Sequence, residues 1–208
     1  MSIDKDRAHA WIEKTKTLMV EHADQLTDLD AAIGDSDHGA NMKRGFTAAA
    51  ELDPADFEDA AAYLKKVGTV LVSKVGGASG PLYGTFFLRF AGALHQADGE
   101  ADTADFAAAF RAGVDGVAAR GKAQTGEATM IDALDPAAAA VEEQSPAVAL
   151  SEALERAAAA AVSGRDATRE MVAAKGRASY LGDRSRGHVD PGAASAALLV
   201  TAAEEAWA

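Results

Sequence analysis

The chain has 208 residues, a formal net charge of −12 and no cysteine. This length suits one domain with a sizeable core, and we expect residues 1–208 to form it. The charge argues against nucleic acid and anionic membranes as partners, and the lack of cysteine excludes disulfides, thiol catalysis and cysteine-bound zinc.

The N-terminal residues are charged and lead directly into a helical pattern, with no signal peptide. No apolar run approaches the roughly 20 residues that a membrane span needs. We therefore expect a cytoplasmic protein that does not bind membranes.

Apolar residues at three- and four-residue spacing predict a series of amphipathic helices. A high alanine content and only 6% aromatic residues also favour helices over strands. We expect helices over residues 3–23, 25–33, 40–50, 56–75, 82–96, 103–120, 129–143, 147–162, 165–175 and 191–207. Pro136 falls inside one of them, where it must lie in a first turn or produce a kink. Eight or more helices with short connections and no confident strand predict an all-α bundle.

The most informative stretch follows the second predicted helix and places Asp30, Asp35 and Asp37 close together in the sequence. Clustered carboxylates repel one another, and a hard divalent cation removes that cost. Oxygen ligands without a nearby cysteine indicate Mg²⁺ rather than zinc. A solvated acidic turn is the alternative. Lys43 and Arg44 follow at once, and a new helix offers free N–H groups beside the acids, which favours a metal–phosphate site.

Four loops combine glycine with polar groups just before a helix, at 34–41, 76–81, 121–130 and 176–192. Each has a simple structural explanation when taken alone. The loop at 76–81 lacks the spacing of a Walker A motif, although its backbone and hydroxyl could contact a phosphate. We expect all four loops to converge at one end of the bundle.

Two of these loops carry side chains suited to a nucleotide. Met130 is either a core residue or a soft contact for an adenine ring. Arg177, Arg184, Arg186 and His188 form a basic loop in an otherwise acidic chain, unless they are simply solvated.

Motifs in these four loops, in the same order and over nearly the whole chain, resemble the nucleotide-binding L subunit of dihydroxyacetone kinase. They are Asp30-x-x-x-Gly34-Asp35-x-Asp37-His38-Gly39-x-Asn41, Gly76-Gly77-Ala78-Ser79-Gly80-Pro81-Leu82-Tyr83-Gly84-Thr85, Gly126-x-x-Thr129-Met130-x-Asp132, and Gly176-Arg177-Ala178-Ser179-Tyr180-Leu181-Gly182 continuing to Gly187-His188-x-Asp190-Pro191-Gly192-Ala193. Ser36 is a small departure, because the family often has Gly or Ala there. Fatty-acid kinases are less similar, because their metal loop resembles a P-D-G-D-T-G pattern.

The resemblance implies an eight-helix antiparallel barrel that holds ADP or ATP and two Mg²⁺ at one end. It implies that Asp30, Asp35 and Asp37 bind the metal and that Arg177 stabilises charge in the transition state. The residues that it places at the nucleotide are His38, Gly39, Ala40, Asn41, Ser79, Gly80, Gly121, Met130, Arg177, Asp190, Pro191 and Gly192.

The implied reaction is phosphoryl transfer to dihydroxyacetone held on a separate K subunit. His9, His22 and His95 fall within predicted helices, so none of them is an obvious ketone-binding histidine. In one branch of the family, ADP stays bound and is re-phosphorylated by a phosphohistidine protein of the phosphoenolpyruvate phosphotransferase system. In the other, ATP exchanges as a substrate. We expect the first branch.

Several alternatives stay open from the sequence. The chain could belong to an ATP-dependent kinase for dihydroxyacetone or a related short ketose, or act alone as a Mg²⁺-dependent phosphohydrolase. It could also be a helical binding module whose acidic loop is only structural. A homodimer is left open as well.

Overall fold

The computed structural model describes residues 3–94, 101–144 and 148–208. Within these ranges the chain forms nine α-helices, three short 3₁₀ helices and no strand, which confirms the predicted all-α fold. The α-helices are α1 (Lys5–Glu21), α2 (Ala23–Ile33), α3 (His38–Ala50), α4 (Ala60–Lys74), α5 (Ser79–Leu94), α6 (Thr103–Gly121), α7 (Ile131–Gln144), α8 (Leu150–Ala167) and α9 (Pro191–Trp207). The 3₁₀ helices are Pro54–Asp56, Thr168–Glu170 and Arg177–Ser185.

Eight of these helices form a closed ring. Each helix from α3 to α9 packs against the next, α1 packs against α3, and α9 returns to contact α1. The short helix α2 is not a member of this ring and packs mainly on α3 and α9. The ring therefore corresponds to the eight-helix barrel that the resemblance implied, with α2 as an addition at its side.

Consecutive ring helices from α3 to α9 alternate in direction. The starts of α3, α5 and α9, the residues just before α7, the end of α6 and the loops that follow α4 and α8 all border one cavity. Because helix starts and helix ends meet at the same place, neighbours in the ring run antiparallel. One end of the ring thus collects the connecting loops.

The centre of the ring is filled by aromatic side chains from α1, α5, α6 and α9. Trp11 contacts Phe86, Phe106 and Trp207, with ring centroids 5.5–6.4 Å apart. The Trp11 indole donates a hydrogen bond to the Leu199 carbonyl oxygen on α9 at 2.9 Å. Most buried residues of α9 are alanines, so this helix can approach its neighbours closely.

The predicted helix over 165–175 is wrong. Helix α8 continues past residue 165 to Ala167, and a 3₁₀ turn and irregular chain follow it. The hydroxyl of buried Thr168 donates to the Arg165 carbonyl at 2.6 Å and accepts from the Asp190 N–H at 3.0 Å. Because a side chain that bonds to backbone competes with helical bonds, the chain leaves α8 here and is tied to the start of α9.

Pro136 lies inside α7, beyond its first turn. It has no N–H, so the Asp132 carbonyl oxygen loses its usual partner within the helix. Gly164 of α8 packs against that carbonyl, and a Cβ at Gly164 would lie 1.9 Å from its oxygen. Only glycine allows this close approach of the two helices.

Other predicted boundaries shift by a few residues. The helix predicted over 82–96 begins earlier, at Ser79, and the helix predicted over 56–75 begins later, at Ala60. Asp59 caps that later start by accepting a hydrogen bond from the Ala62 N–H at 2.7 Å. The predicted loop 176–192 contains a 3₁₀ helix. His95 and the predicted start at Ala147 lie outside the described residues. Among the helices described, none is long and apolar enough to cross a membrane.

Candidate functional site

A cavity of about 930 Å³ opens at the end of the ring where the loops meet. All four glycine-containing loops contribute to its wall, so they converge as predicted. Four helices, α3, α5, α7 and α9, begin beside it. Because the N-terminal end of a helix carries free N–H groups and a partial positive charge, this wall suits a ligand with several negative charges.

Three carboxylates stand together at one side of this cavity. Oxygen atoms of Asp30, Asp35 and Asp37 all lie within 4.8 Å of one another. Asp30 is buried in the last turn of α2, whereas Asp35 and Asp37 are exposed in the following loop. A set of oxygen ligands at this spacing fits a Mg²⁺ ion, which takes carboxylates and keeps several waters.

The loop geometry explains how three acids are held so close. Asp30 Oδ2 accepts hydrogen bonds from the N–H groups of Asp37 at 2.9 Å and His38 at 3.2 Å, so it joins α2 to the start of α3. A Cβ at Gly34 would lie 1.9 Å from the Asp30 carboxylate, which requires glycine there. Ser36 has a φ of 63°, a left-handed conformation that glycine adopts without strain and other residues adopt less readily.

Arg177 reaches the acidic cluster from the opposite loop. Its Nη2 lies 2.8 Å from Asp35 Oδ2, and its side chain is 68% exposed. Gly176, directly before it, has a φ of 62°, so the turn that directs the chain here favours glycine. Arg177 thus places a positive charge at the mouth of the cavity, beside the carboxylates.

His38 lies at the first position of α3 and is buried. Its Nε2 lies 2.9 Å from the Ser195 hydroxyl of α9, and its Nδ1 lies 3.4 Å from the Ser79 hydroxyl of α5. Burial lowers the pKa of His38 below its usual value, although nearby Asp30 and Asp37 act in the opposite direction. The ring bridges three helices, α3, α5 and α9, at the cavity wall.

Asn41 is oriented by a neighbouring cation. Arg44 donates from Nη2 to Asn41 Oδ1 at 2.6 Å and from Nε to the Lys74 carbonyl oxygen at 2.8 Å. Since arginine can only donate, the Asn41 amide must turn its oxygen toward Arg44, which leaves the NH₂ group free for the cavity. Arg44 is itself exposed beside the acidic loop, and its guanidinium makes these two hydrogen bonds within the protein.

Two further acids lie at the starts of α7 and α9. Asp190 caps α9 by accepting from the Ala193 N–H at 2.7 Å, and buried Asp132 accepts from the N–H groups of Gly126 at 2.5 Å and Thr129 at 2.7 Å. Burial raises the pKa of Asp190 to about 7, and the charges of Asp132 and Asp30 add to that effect. Asp132 holds the loop before α7 in its turn and so shapes the cavity around Met130 and Thr129.

Most residues predicted for the site line the cavity. They are Asp30, Asp35, Asp37, His38, Asn41, Ser79, Gly121, Met130, Arg177, Asp190, Pro191 and Gly192. Gly39, Ala40 and Gly80 do not line it. Gly39 packs on the Ala23 carbonyl oxygen of α2, Gly80 packs on the Val75 carbonyl oxygen, and Ala40 is exposed. Arg184, Arg186 and His188 are also exposed and lie outside the lining.

The loop that carries Arg177 rests on a small core of its own. Buried or partly buried apolar side chains from α2, the loop before α7 and the loop after α8 pack together there; they are Ile33, Ala128, Met171, Ala173, Ala178 and Leu181. The Ala174 N–H also donates to the Glu127 carbonyl oxygen at 3.0 Å, and Lys175 Nζ lies 3.5 Å from the Glu127 carboxylate. These contacts hold the loop over one side of the cavity.

Several lining residues were not predicted. Tyr180 is 87% exposed at the cavity, and Lys175 and Arg120 lie nearby in its wall. Two further residues that were not predicted lie behind the lining: Ser195 bonds to His38, Tyr83 bonds to Ser195, and both are fully buried. The sequence offers no signal for Ser195, because it lies within an alanine-rich helix far along the chain from His38.

Comparisons with known proteins agree with this geometry. The family model of the DAK2 domain matches residues 32–205. The chain is 44% identical over 204 residues to the "PEP-dependent dihydroxyacetone kinase 1, ADP-binding subunit DhaL" of Listeria innocua, covering 96% of this chain and 95% of that protein. It is 43% identical over 202 residues to the corresponding ADP-binding subunit DhaL of Escherichia coli K12, covering 96% of each chain.

Longer proteins match over about a third of their length. The chain is 32% identical over 197 residues to human triokinase/FMN cyclase, covering 92% of this chain and 33% of that protein. The solved structure of the dihydroxyacetone kinase from C. freundii in complex with AMP-PNP and Mg²⁺ superimposes with a TM-score of 0.74 at 25% identity. That match covers 99% of this chain and 34% of the other.

Proposed function

The chain belongs to the DAK2 domain family, and on this basis we propose that it is the ADP- and Mg²⁺-binding subunit of a dihydroxyacetone kinase. In this proposal a phosphoryl group passes from the nucleotide in the cavity to dihydroxyacetone held on a separate K subunit. The relatives that match along their whole length carry the names of such subunits.

The observation that carries the proposal is the position of the acidic cluster. Asp30, Asp35 and Asp37 stand at the edge of a cavity of about 930 Å³ into which four helices direct their N-terminal ends. A nucleoside diphosphate with bound Mg²⁺ presents negatively charged phosphate oxygens to the helix N-termini and positive metal ions to the carboxylates. A cavity of this volume also lies within the usual range for small-molecule sites.

The proposed metal content is two Mg²⁺ ions, held by the three aspartates together with phosphate oxygens. Bound Mg²⁺ would neutralise phosphate charge and orient the transferring group, which is most of what phosphoryl transfer requires of an enzyme. The protein contributes fixed carboxylates, because the hydrogen bonds of the Asp30 carboxylate and the turn at Gly34 set their spacing.

Other side chains hold the nucleotide and stabilise charge. Asn41 offers its NH₂ group, and Arg177 places a guanidinium at the mouth, 2.8 Å from Asp35. We assign Arg177 to charge stabilisation in the transition state, where one well-placed donor is worth about 100-fold in rate. We assign the base that activates the ketone hydroxyl to the partner subunit, because the phosphoryl group must protrude from the mouth of the cavity to reach dihydroxyacetone.

The phosphate source is proposed to be a phosphohistidine protein of the phosphoenolpyruvate phosphotransferase system, which re-phosphorylates the bound ADP in place. The support is the name "PEP-dependent" on relatives that align over nearly their full length at 43–44% identity. The ATP-dependent kinase and the stand-alone phosphohydrolase are the competing outcomes of the assay described next.

The test is a reconstitution assay of phosphate transfer to dihydroxyacetone. It uses this chain alone, then with a dihydroxyacetone-binding K subunit, and then with a phosphotransferase donor added. We expect turnover only in the complete mixture. Turnover with this chain and ATP alone would contradict the split-kinase proposal, and phosphate release without dihydroxyacetone would favour the hydrolase.

A matched pair of variants tests the role of Arg177 in the same assay. Arg177→Ala is expected to lower turnover by about 100-fold. Arg156→Ala is the control, because Arg156 is an exposed arginine on α8 whose partner, Glu152, lies one turn away at 2.8 Å. Equal activity of the two variants would remove Arg177 from the mechanism.

A further inference from the structure

A chain of buried hydrogen bonds leads from the cavity wall into the core. The Ser195 hydroxyl on α9 lies 2.9 Å from His38 Nε2 on α3 and 2.7 Å from the Tyr83 hydroxyl on α5. Ser195 and Tyr83 are fully buried, and neither lines the cavity. Three helices that begin at the cavity are thus linked through one hydroxyl group behind His38.

The three hydrogen bonds of the Ser195 hydroxyl have a single arrangement of protons that satisfies all of them. The Ser195 hydroxyl has one proton, and the Gly192 carbonyl oxygen, 3.1 Å away, can only accept it. The Ser195 oxygen must then accept from both of its other neighbours. Tyr83 therefore donates to Ser195, and so does His38 through a protonated Nε2.

This assignment determines what His38 presents to the cavity. In a neutral imidazole only one nitrogen carries a proton, so Nδ1 has a lone pair when Nε2 is protonated. Nδ1 is the nitrogen on the cavity side, 3.4 Å from the Ser79 hydroxyl of α5. The other tautomer would replace this acceptor by a donor at the wall, and a reversed ring would place a C–H group there.

We propose that Ser195 and Tyr83 are positioning residues of the nucleotide site, which hold His38 in the Nε2-protonated form so that Nδ1 faces Ser79 and the cavity as a hydrogen-bond acceptor. The proposal rests on the proposed function, because it names the support of a site that is expected to bind ADP. Neither residue touches the ligand. Each acts through His38, in the way that partners behind a ligating histidine determine its tautomer.

The two residues have well-matched controls elsewhere in the core. Tyr63 is, like Tyr83, a fully buried tyrosine whose hydroxyl bonds to a side chain, here His9 at 2.9 Å. Thr15 is a fully buried hydroxyl residue that donates only to the Trp11 carbonyl in the described hydrogen bonds, at 2.8 Å. Neither control lines the cavity. Tyr63→Phe and Thr15→Val therefore report the cost of losing a buried hydroxyl without any effect on the site.

The first measurement is the ¹⁵N NMR spectrum of the imidazole ring of His38, assigned with a His38→Gln variant and recorded at neutral pH without nucleotide. We expect the pattern of a neutral ring protonated at Nε2 in the wild type, and a mixture of both tautomers in Ser195→Ala. A wild-type ring protonated at Nδ1 would overturn the proposal, whether or not the variants fold.

The second measurement is the affinity for ADP in the presence of Mg²⁺. Ser195→Ala is expected to lose about tenfold in affinity and Tyr83→Phe a few-fold, on the scale of one lost hydrogen bond. Thr15→Val and Tyr63→Phe should keep the wild-type affinity. Unchanged affinity in Ser195→Ala and Tyr83→Phe would overturn the positioning role. Absence of ADP binding by the wild type would instead overturn the proposed function. The tautomer measurement distinguishes this failure from a failure of the positioning role, because it needs no ligand.

Discussion

Asp30 shows how one residue can serve both the fold and the site. Its carboxylate accepts two backbone hydrogen bonds at the start of α3 and also belongs to the three-acid cluster. The spacing of Asp30, Asp35 and Asp37 in the sequence was sufficient to predict this cluster. The turn that brings them together could be anticipated only in part, because the left-handed backbone at Ser36 is adopted by a residue with no strong preference for it.

Loss of an exposed carboxylate from the cluster should weaken Mg²⁺-dependent ADP binding. Asp35→Asn and Asp37→Asn each remove a charge and a ligand, and Mg²⁺ tolerates little departure from octahedral oxygen coordination. We expect ADP affinity measured by calorimetric titration to fall by at least about tenfold. Asp28→Asn is the control, because Asp28 is exposed on α2 and lies outside both the cluster and the cavity lining. Unchanged affinity in both cluster variants would contradict the metal assignment.

Asp190 should make stability depend on pH in the protein without nucleotide and metal. Its pKa is raised to about 7 in the folded state, from 3.8, chiefly by burial. The folded state thus holds a proton that the unfolded state has released, so this contribution to the free energy of unfolding falls as pH rises from about 4 to about 7. Urea unfolding of the wild type and Asp190→Asn at both ends of this range measures it.

The sign of that comparison is decisive. The free energy of unfolding of the wild type, relative to Asp190→Asn, should decrease between the acidic and the neutral measurement. Asparagine retains the ability to cap α9, so the variant isolates the carboxyl proton. A difference that stays constant, or that increases with pH, would contradict a raised pKa at Asp190.

No comparable signal in the sequence indicates the residues behind the site. Ser195 bonds to His38 across a sequence separation of 157 residues and to Tyr83 across 112 residues. Local patterns report helix faces, and they predict that such residues are buried. They cannot report which hydroxyl groups of three different helices face one another, because that depends on how the helices are packed.

At the scale of helices, close glycine contacts set the spacing around the site. A Cβ at Gly39 would lie 1.9 Å from the Ala23 carbonyl oxygen, where α3 crosses α2. Gly39→Ala is therefore expected to lower the free energy of unfolding by about 1–3 kcal/mol, as overpacking does in cores. Urea denaturation measures the change.

Gly92 is the matched control for that substitution. It lies in α5 with no atom within 4 Å of a built Cβ. Gly92→Ala should raise the free energy of unfolding by up to about 1 kcal/mol, because alanine favours the helix. A Gly39→Ala variant as stable as Gly92→Ala would show that α2 and α3 are not in close contact, and that Gly39 is free to serve the nucleotide as the motif implied.

Helices with long apolar patterns were predicted well, and the failures have specific causes. The chain leaves α8 because the Thr168 hydroxyl bonds to Arg165 and to Asp190. The second of these partners lies 22 residues away, so helical propensity within 165–175 could not reveal it. Similarly, Gly164 falls in the gap between the helices predicted over 147–162 and 165–175, whereas it lies within α8 and packs against the Asp132 carbonyl of α7.

At the scale of the whole molecule, the cavity joins most of the ring. Its lining comes from α2, α3, α5, α6, α7 and α9 and from the loops before α3, α5, α7 and α9. A ligand that binds only the folded state stabilises it by about 4 kcal/mol at a thousandfold excess over Kd. For a chain of this length that corresponds to a rise in Tm of roughly 10 °C. A thermal scan with and without ADP and Mg²⁺ measures it, and an unchanged Tm would contradict ligand contacts from several loops.

The central claim is that this cavity holds ADP together with Mg²⁺ on the three aspartates. Native mass spectrometry of the protein with ADP and Mg²⁺ tests it most directly, with Asp28→Asn and Asp37→Asn measured beside the wild type. We predict a complex of one protein chain, one ADP and two magnesium ions in the wild type and Asp28→Asn, and its loss in Asp37→Asn. A spectrum without bound ADP, or one that keeps the same complex in Asp37→Asn, would contradict the account.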